Sequence, residues 1–143
     1  MRISDVIGTK ASKDVITIAP DATVRELIRL LAEHNVGALI VSGDGSAVDG
    51  IVSERDVVRR LLDSDDILDG QVAAIMTAEV ATAAPDTSLD DMRLLMTERR
   101  IRHVPVVSEE RLVGIISIGD VVKAAMDQLQ FERDQLDSYV HGA

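Results

Sequence analysis

The apolar and polar positions of this chain repeat when the sequence is laid on itself. Val15-Ile16-Thr17-Ile18-Ala19-Pro20-Asp21 realigns on Val80-Ala81-Thr82-Ala83-Ala84-Pro85-Asp86, with five of seven positions identical. Further on, Gly50-Ile51-Val52-Ser53-Glu54-Arg55-Asp56-Val57-Val58 matches Gly114-Ile115-Ile116-Ser117-Ile118-Gly119-Asp120-Val121-Val122. Several matches in one order make the chain a duplication. Each half predicts the same elements. A β-prone run, 15–18 and more weakly 80–83, stops at Pro20 and Pro85. Thr23 with Glu26, and Ser88 with Asp91, then signal helix starts. Leu27, Ile28 and Leu31, and likewise Met92, Leu95 and Met96, are expected on one helical face. Short buried strands follow at 38–41 and 103–107. Polar turns at 43–46 and 108–111 return the chain as hairpins through 48–52 and 112–116. A second helix closes each unit, over 54–62 and from 118 onward.

The order is β-α-β-β-α, twice, which predicts a mixed α/β (α+β) fold. The first unit is placed at residues 1–64 and the second at 65–126, with a helical extension over 127–143. The acidic run Asp63-Ser64-Asp65-Asp66 reads as a solvated joint. Residues 70–77 lead into the second repeat, and Ile3-Ser4-Asp5-Val6-Ile7 is expected to lead into the first in the same way. A unit of about 60 residues buries only about 60% of its chain surface, so the two sheets are expected to pack together.

Composition narrows this picture. Apolar residues make up 46% of the chain, yet aromatics only 1%, so the core must be aliphatic. That scarcity argues against base-stacking platforms for single-stranded nucleic acid. A net charge of −10 also disfavours a phosphate backbone as partner. Without cysteine there is no disulfide, thiolate nucleophile or thiolate zinc site, which fits a reducing compartment. The start Met1-Arg2-Ile3-Ser4-Asp5 does not read as a secretory signal, and no apolar run is long enough for a membrane span. A cytoplasmic location is expected.

The Met76-Thr77 lead-in, the two Val-x-Thr-x-x-Pro-Asp strand ends, Arg102-His103-Val104-Pro105-Val106-Val107 and the two Gly-Ile-x-Ser-x-x-Asp blocks together resemble a CBS-domain pair, or Bateman module. The likeness covers roughly residues 1 to 126. It implies two units related by a pseudo-twofold, with two clefts between them that hold AMP, ADP or ATP, or else S-adenosylmethionine or NAD(H). It also implies a disc-like homodimer and a regulatory role, in energy or redox sensing, exerted on a partner protein.

Within that likeness, Ser53 and Ser117 end a strand, and Asp56 and Asp120 lie in the first turn of the next helix. A carboxylate there can accept two charge-assisted hydrogen bonds from a ribose diol, while the helix N-terminus suits phosphate. The same residues also suit plain helix capping. The resemblance assigns Thr17, Ile18, Thr82 and Ala83 to the strand lining an adenine slot. It assigns Ala38, Leu39, His103, Val104 and Pro105 to the opposite wall. Arg55 and Arg102, with Arg99 and Arg100 as weaker candidates, are implied phosphate contacts. The halves also differ: Gly37-Ala38-Leu39-Ile40 stands against Arg102-His103-Val104-Pro105, and Arg55 against Gly119, so the two sites are expected to be unequal.

Three other function classes compete with this one. Catalysis is not expected, because the three histidines lack metal spacing and no glycine-rich phosphate loop occurs. A scaffold with degenerate pockets draws support from the last helix, where Val122, Ala125, Met126, Leu129, Leu136 and Val140 recur at helical spacing beyond the repeat. Nucleic-acid binding would require the basic clusters to converge.

Overall fold

Each unit's first helix begins where a hydroxyl caps it. Thr23 Oγ1 accepts the Glu26 N–H (3.1 Å), opening α2 (Val24–His34), and Ser88 Oγ accepts the Asp91 N–H (3.0 Å), opening α4 (Leu89–Arg99). Only half of the expected capping box forms at Thr23, because the Glu26 carboxylate pairs with Arg29 instead. Both helices end on a left-handed residue, Asn35 and Arg100 (φ 51° and 53°). The structure, a computed structural model, describes residues 1–10 and 15–142. Parts of the predicted first unit (11–14) and of the extension (143) lie outside the described residues.

The first sheet has three strands in the order β1 (Thr17–Ile18), β2 (Ala38–Val41), β3 (Gly50–Ser53). β1 runs parallel to β2, and β2 antiparallel to β3. The second sheet pairs β4 (His103–Ser108) antiparallel to β5 (Arg111–Ser117). Two elements are shorter than the pattern predicts. Strand 15–18 is reduced to Thr17–Ile18, and 80–83 forms no strand, only a parallel bridge from Ala83 to Val106. The cause is side-chain size. Ile18 is buried in the first core, whereas the equivalent Ala83 contributes one methyl at the edge of the second. Ile28 is a further correction: it is 38% exposed, and the buried face of α2 is carried by Val24, Leu27 and Leu31.

The remaining helices are α1 (Ile3–Thr9), α3 (Glu54–Leu61) and α5 (Ile118–His141). No described helix is long and apolar enough to cross a membrane. Two cores result, and they correspond position by position. Val24, Leu27, Leu31, Leu39, Val41, Val52 and Val57 build the first; Leu89, Met92, Met96, Val104, Val106, Ile116 and Val121 build the second. Side chains alternate along β2, so Leu39 and Val41 enter the first core while Ala38 and Ile40 point to the opposite face. Ile40 is nonetheless fully buried, as is Pro105 on β4.

The lead-in segments are exchanged between the units. Ile3 and Val6 of α1 fill the second core, not the first, while Val72 and Ile75 of the segment before repeat two fill the first. Chain order leads α1 into repeat one, but its apolar face packs on repeat two. Gly50 and Gly114 allow the close approach. A Cβ at Gly50 would meet Met76 Sδ at 2.7 Å and the Thr77 carbonyl at 2.9 Å; one at Gly114 would meet Ile7 Cδ1 at 2.8 Å. Ile3, Val6 and Ile7 thus match Val72, Ile75 and Met76, and the next step of that match sets Lys10 against Glu79.

Candidate functional site

Two clefts lie between the units. Each sets the Ser-x-x-Asp turn of one unit against the strand region of the other. The turns are built alike. Ser53 is the N-cap of α3: its N–H donates to Asp56 Oδ2 (2.8 Å), and its Oγ accepts from the Asp56 N–H (3.3 Å). Ser117 caps α5 in the same way, with distances of 2.9 and 3.1 Å. The capping role and the ligand role are therefore compatible, since the backbone contact at each turn uses Oδ2 alone among the two carboxylate oxygens of each Asp.

The Asp56 cleft encloses about 260 Å³. Ser53, Arg55, Asp56 and Arg59 form one side, and Val80, Ala81, Arg100, Arg102 and His103 of the second unit form the other, with Thr77 and Glu79 between. Four arginines thus line one small space, two from α3 and two from the segment after α4. Arg100 is brought there by its left-handed backbone at the helix end. Such a set suits an anion with several phosphate oxygens, which arginine binds bidentately.

The Asp120 cleft is larger, about 630 Å³. Asp120, Ile115 and Lys123 of the second unit face Ile16, Val36, Ala38, Leu39 and His34 of the first, and α1 contributes Val6, Thr9 and Lys10. Lys10 Nζ donates to Asp120 Oδ2 (3.0 Å) and to the Ile115 carbonyl (2.9 Å), with side chains only 26% and 21% exposed for Lys10 and Asp120. Burial alone would push the Asp120 carboxyl up. The Ser117 N–H and the Lys10 ammonium outweigh it and hold the group below its ordinary range.

His103 lines the Asp56 cleft. Its ring lies 3.6 Å from where a side chain at Gly37 would begin, and it feels the charges of Asp120 and Glu54 from the two turns. Burial is the largest influence and lowers its pKa below the usual imidazole value.

The structure brings Ser53, Arg55, Asp56, Arg102 and His103 into one cleft, Leu39 and Asp120 into the other, and Ala38 to both. Ile18, Val104 and Pro105 have interior side chains, so only their backbone is available to a ligand. Thr17 pairs with Ile40, Ala83 with Val106, and Ser117 acts through its cap. Thr82 stands next to Ala81, which does line the Asp56 cleft. Arg99 ends α4, one residue before Arg100. The sequence reading missed Lys10 and Glu79. Aligning Ile3-Val6-Ile7-Lys10 on Val72-Ile75-Met76-Glu79 would have revealed both.

A CBS-domain profile matches residues 3–63 and again 72–127. The chain belongs to the CBS-domain family. It is 36% identical to the CBS domain-containing protein CBSX3, mitochondrial, of Arabidopsis thaliana, over 98% of this chain and 72% of that one. A solved CBS-domain containing protein, ATU1752 from Agrobacterium tumefaciens, superposes with a TM-score of 0.82 at 38% identity, covering 87% of this chain and 99% of the other. The CBS domain pair of protein MJ0100, solved in complex with 5′-methylthioadenosine and S-adenosyl-L-methionine, gives a TM-score of 0.77 at 26% identity over 87% of this chain and 98% of that one. These CBS relatives share both units of the pair, and the two-cleft arrangement described above is built from the same duplicated elements.

Proposed function

We propose that this chain is a regulatory module that binds an adenosine-containing ligand in its inter-unit clefts and passes the occupied state to a partner protein without catalysis of its own. One observation carries the reading: in each cleft a helix-capping Ser-x-x-Asp turn from one unit faces apolar residues of the other. Asp56 and Asp120 supply an acceptor for a ribose diol. Ile16, Val36 and Ala38, and in the Asp56 cleft Val80 and Ala81, supply apolar surface for a base. The MJ0100 pair, bound to two adenosine derivatives, supports the ligand class. AMP, ADP and ATP are the ligands favoured by the arginines of the Asp56 cleft; NAD(H) and S-adenosylmethionine share the adenosine part.

A second reading, a dimerising scaffold with silent pockets, draws on α5. Met126, Leu129, Leu136, Tyr139 and Val140 are all more than 60% exposed and share one side of the helix, a face that a second copy of the chain would cover. One experiment separates the two: melting curves with AMP, ADP, ATP, NADH and S-adenosylmethionine, beside sedimentation at micromolar concentration. Ligand at 100 times its dissociation constant should add about 2.7 kcal/mol of stability. If no ligand moves the melting temperature at millimolar concentration while a dimer persists, the scaffold reading replaces the sensor.

A further inference from the structure

The two clefts are copies of one design with opposite charges at one matched position. Lys10 follows α1 and lies in the Asp120 cleft; Glu79 follows the equivalent lead-in and lies in the Asp56 cleft. The arginines also fail to repeat. Arg55, Arg59, Arg100 and Arg102 line one cleft, and the matching positions are Gly119, Lys123, Asn35 and Gly37. In the Asp120 cleft, moreover, the ammonium of Lys10 already holds the carboxylate and the Ile115 carbonyl beside it, in a half-buried ion pair.

We propose that Lys10 latches the Asp120 cleft, so that a polyphosphate nucleotide fills the arginine-lined Asp56 cleft first and an adenosine-bearing ligand enters the Asp120 cleft only by displacing Lys10 from the carboxylate. This rests on the adenosine reading above and assigns its two sites unequal roles. Lys10 shares Oδ2 with the Ser117 N–H, so a diol that spans both carboxylate oxygens of Asp120 finds Oδ1 open but must compete at Oδ2 with a charge-assisted bond already made. That bond is partly shielded from water, so its loss costs more than that of an exposed pair. A diol arriving at Asp56 meets no matching cation, since the equivalent residue there is Glu79. The arginines around it add phosphate contacts whose strength grows with ligand charge. Displacement of Lys10 would also free the end of α1, whose other face is buried in the second core through Ile3 and Val6. Occupancy of the second cleft is thereby tied to the packing of a helix.

Calorimetric titration of the full chain with ATP, and with adenosine as the uncharged probe, tests the latch. Wild type should show one tight ATP site per chain, abolished by Asp56→Asn and kept in Asp120→Asn. Lys10→Met and Lys10→Ala, each checked by its melting curve, should gain a second site at least about tenfold tighter than in wild type, and the gain should vanish in Lys10→Met with Asp120→Asn. Adenosine should favour the Asp56 cleft far less than ATP does. Two equivalent ATP sites in wild type would overturn the proposal while leaving the adenosine reading intact. So would a single site lost in Asp120→Asn, or a second site weakened by both Lys10 substitutions, which would make Lys10 a phosphate ligand. Failure of both probes to bind any variant also overturns the latch, and the wider ligand panel then decides whether the adenosine reading falls with it.

Discussion

His103 feels both clefts, and its proton reports on them. Burial lowers its pKa; Asp120 and Glu54 pull upward and Arg102 and Lys10 downward, leaving it below the ordinary 6.5. A base whose folded pKa is depressed stays neutral in the fold while the unfolded chain takes up a proton. Its stabilising contribution is therefore present above about pH 6.5 and is lost as pH falls toward the folded value. Asp120 acts in a separate window. Its folded pKa lies below 3.8, so its contribution persists above that value and is lost only in stronger acid. Melting temperature should accordingly begin to fall just below pH 6.5, and His103→Gln should remove that first decline. Titration of the imidazole by NMR checks the cause: the expected midpoint lies below 6.5, and one at or above it would contradict the account.

At the level of elements, the exchanged lead-ins are the feature that chain order conceals. Periodicity marks Ile3, Val6, Val72 and Ile75 as apolar but is silent on which sheet they meet, because both cores are aliphatic and accept the same side chains. The contact at Gly50 makes the exchange testable. Gly50→Ala sets a methyl against the Thr77 carbonyl, a backbone atom whose position is fixed by paired hydrogen bonds with Ile51 (2.9 Å each). Overpacking of this kind should cost about 1–3 kcal/mol, read from denaturant unfolding. A neutral substitution would show that the lead-in does not pack there. Other elements were legible where local chemistry decides them. The hydroxyl caps at Thr23, Ser53, Ser88 and Ser117, the hairpins and the helical faces of Leu27 with Leu31 and of Met92 with Met96 follow from spacing alone. Ile28 misled because it neighbours Leu27 in sequence, yet a turn of about 100° carries it to the exposed side. Residues 80–83 misled because Val80 and Thr82 favour strand, while Ala81 and Ala83 give a sheet little to bury.

For the whole molecule, duplication is what the sequence shows most openly, and the site follows from it only in part. Each Ser-x-x-Asp turn was visible as a motif, but its facing wall comes from the other unit, and no local pattern states which strand a turn will meet. Lys10 and Glu79 escaped notice for the same reason: they belong to lead-ins whose packing partner lies a unit away. The long α5 stands apart from the symmetry. Its counterpart α3 ends at Leu61, so the exposed apolar face beyond Met126 has no equivalent in the first unit. The two halves are thus one design made unequal by four arginines, one lysine and one extended helix.

The central claim is that the paired aspartates hold a ligand as well as cap helices. Replacing both in one chain, Asp56→Asn with Asp120→Asn, keeps a capping oxygen at each turn but removes the charge offered to a ribose diol. Titration of that variant against wild type with the best ligand of the panel, beside its melting curve, is the most direct measurement. The account predicts affinity weakened roughly tenfold or more, with the loss of stability coming mainly from the Asp120 substitution, which also breaks the Lys10 pair. Unchanged affinity with a large loss of stability would contradict it and return both residues to capping alone.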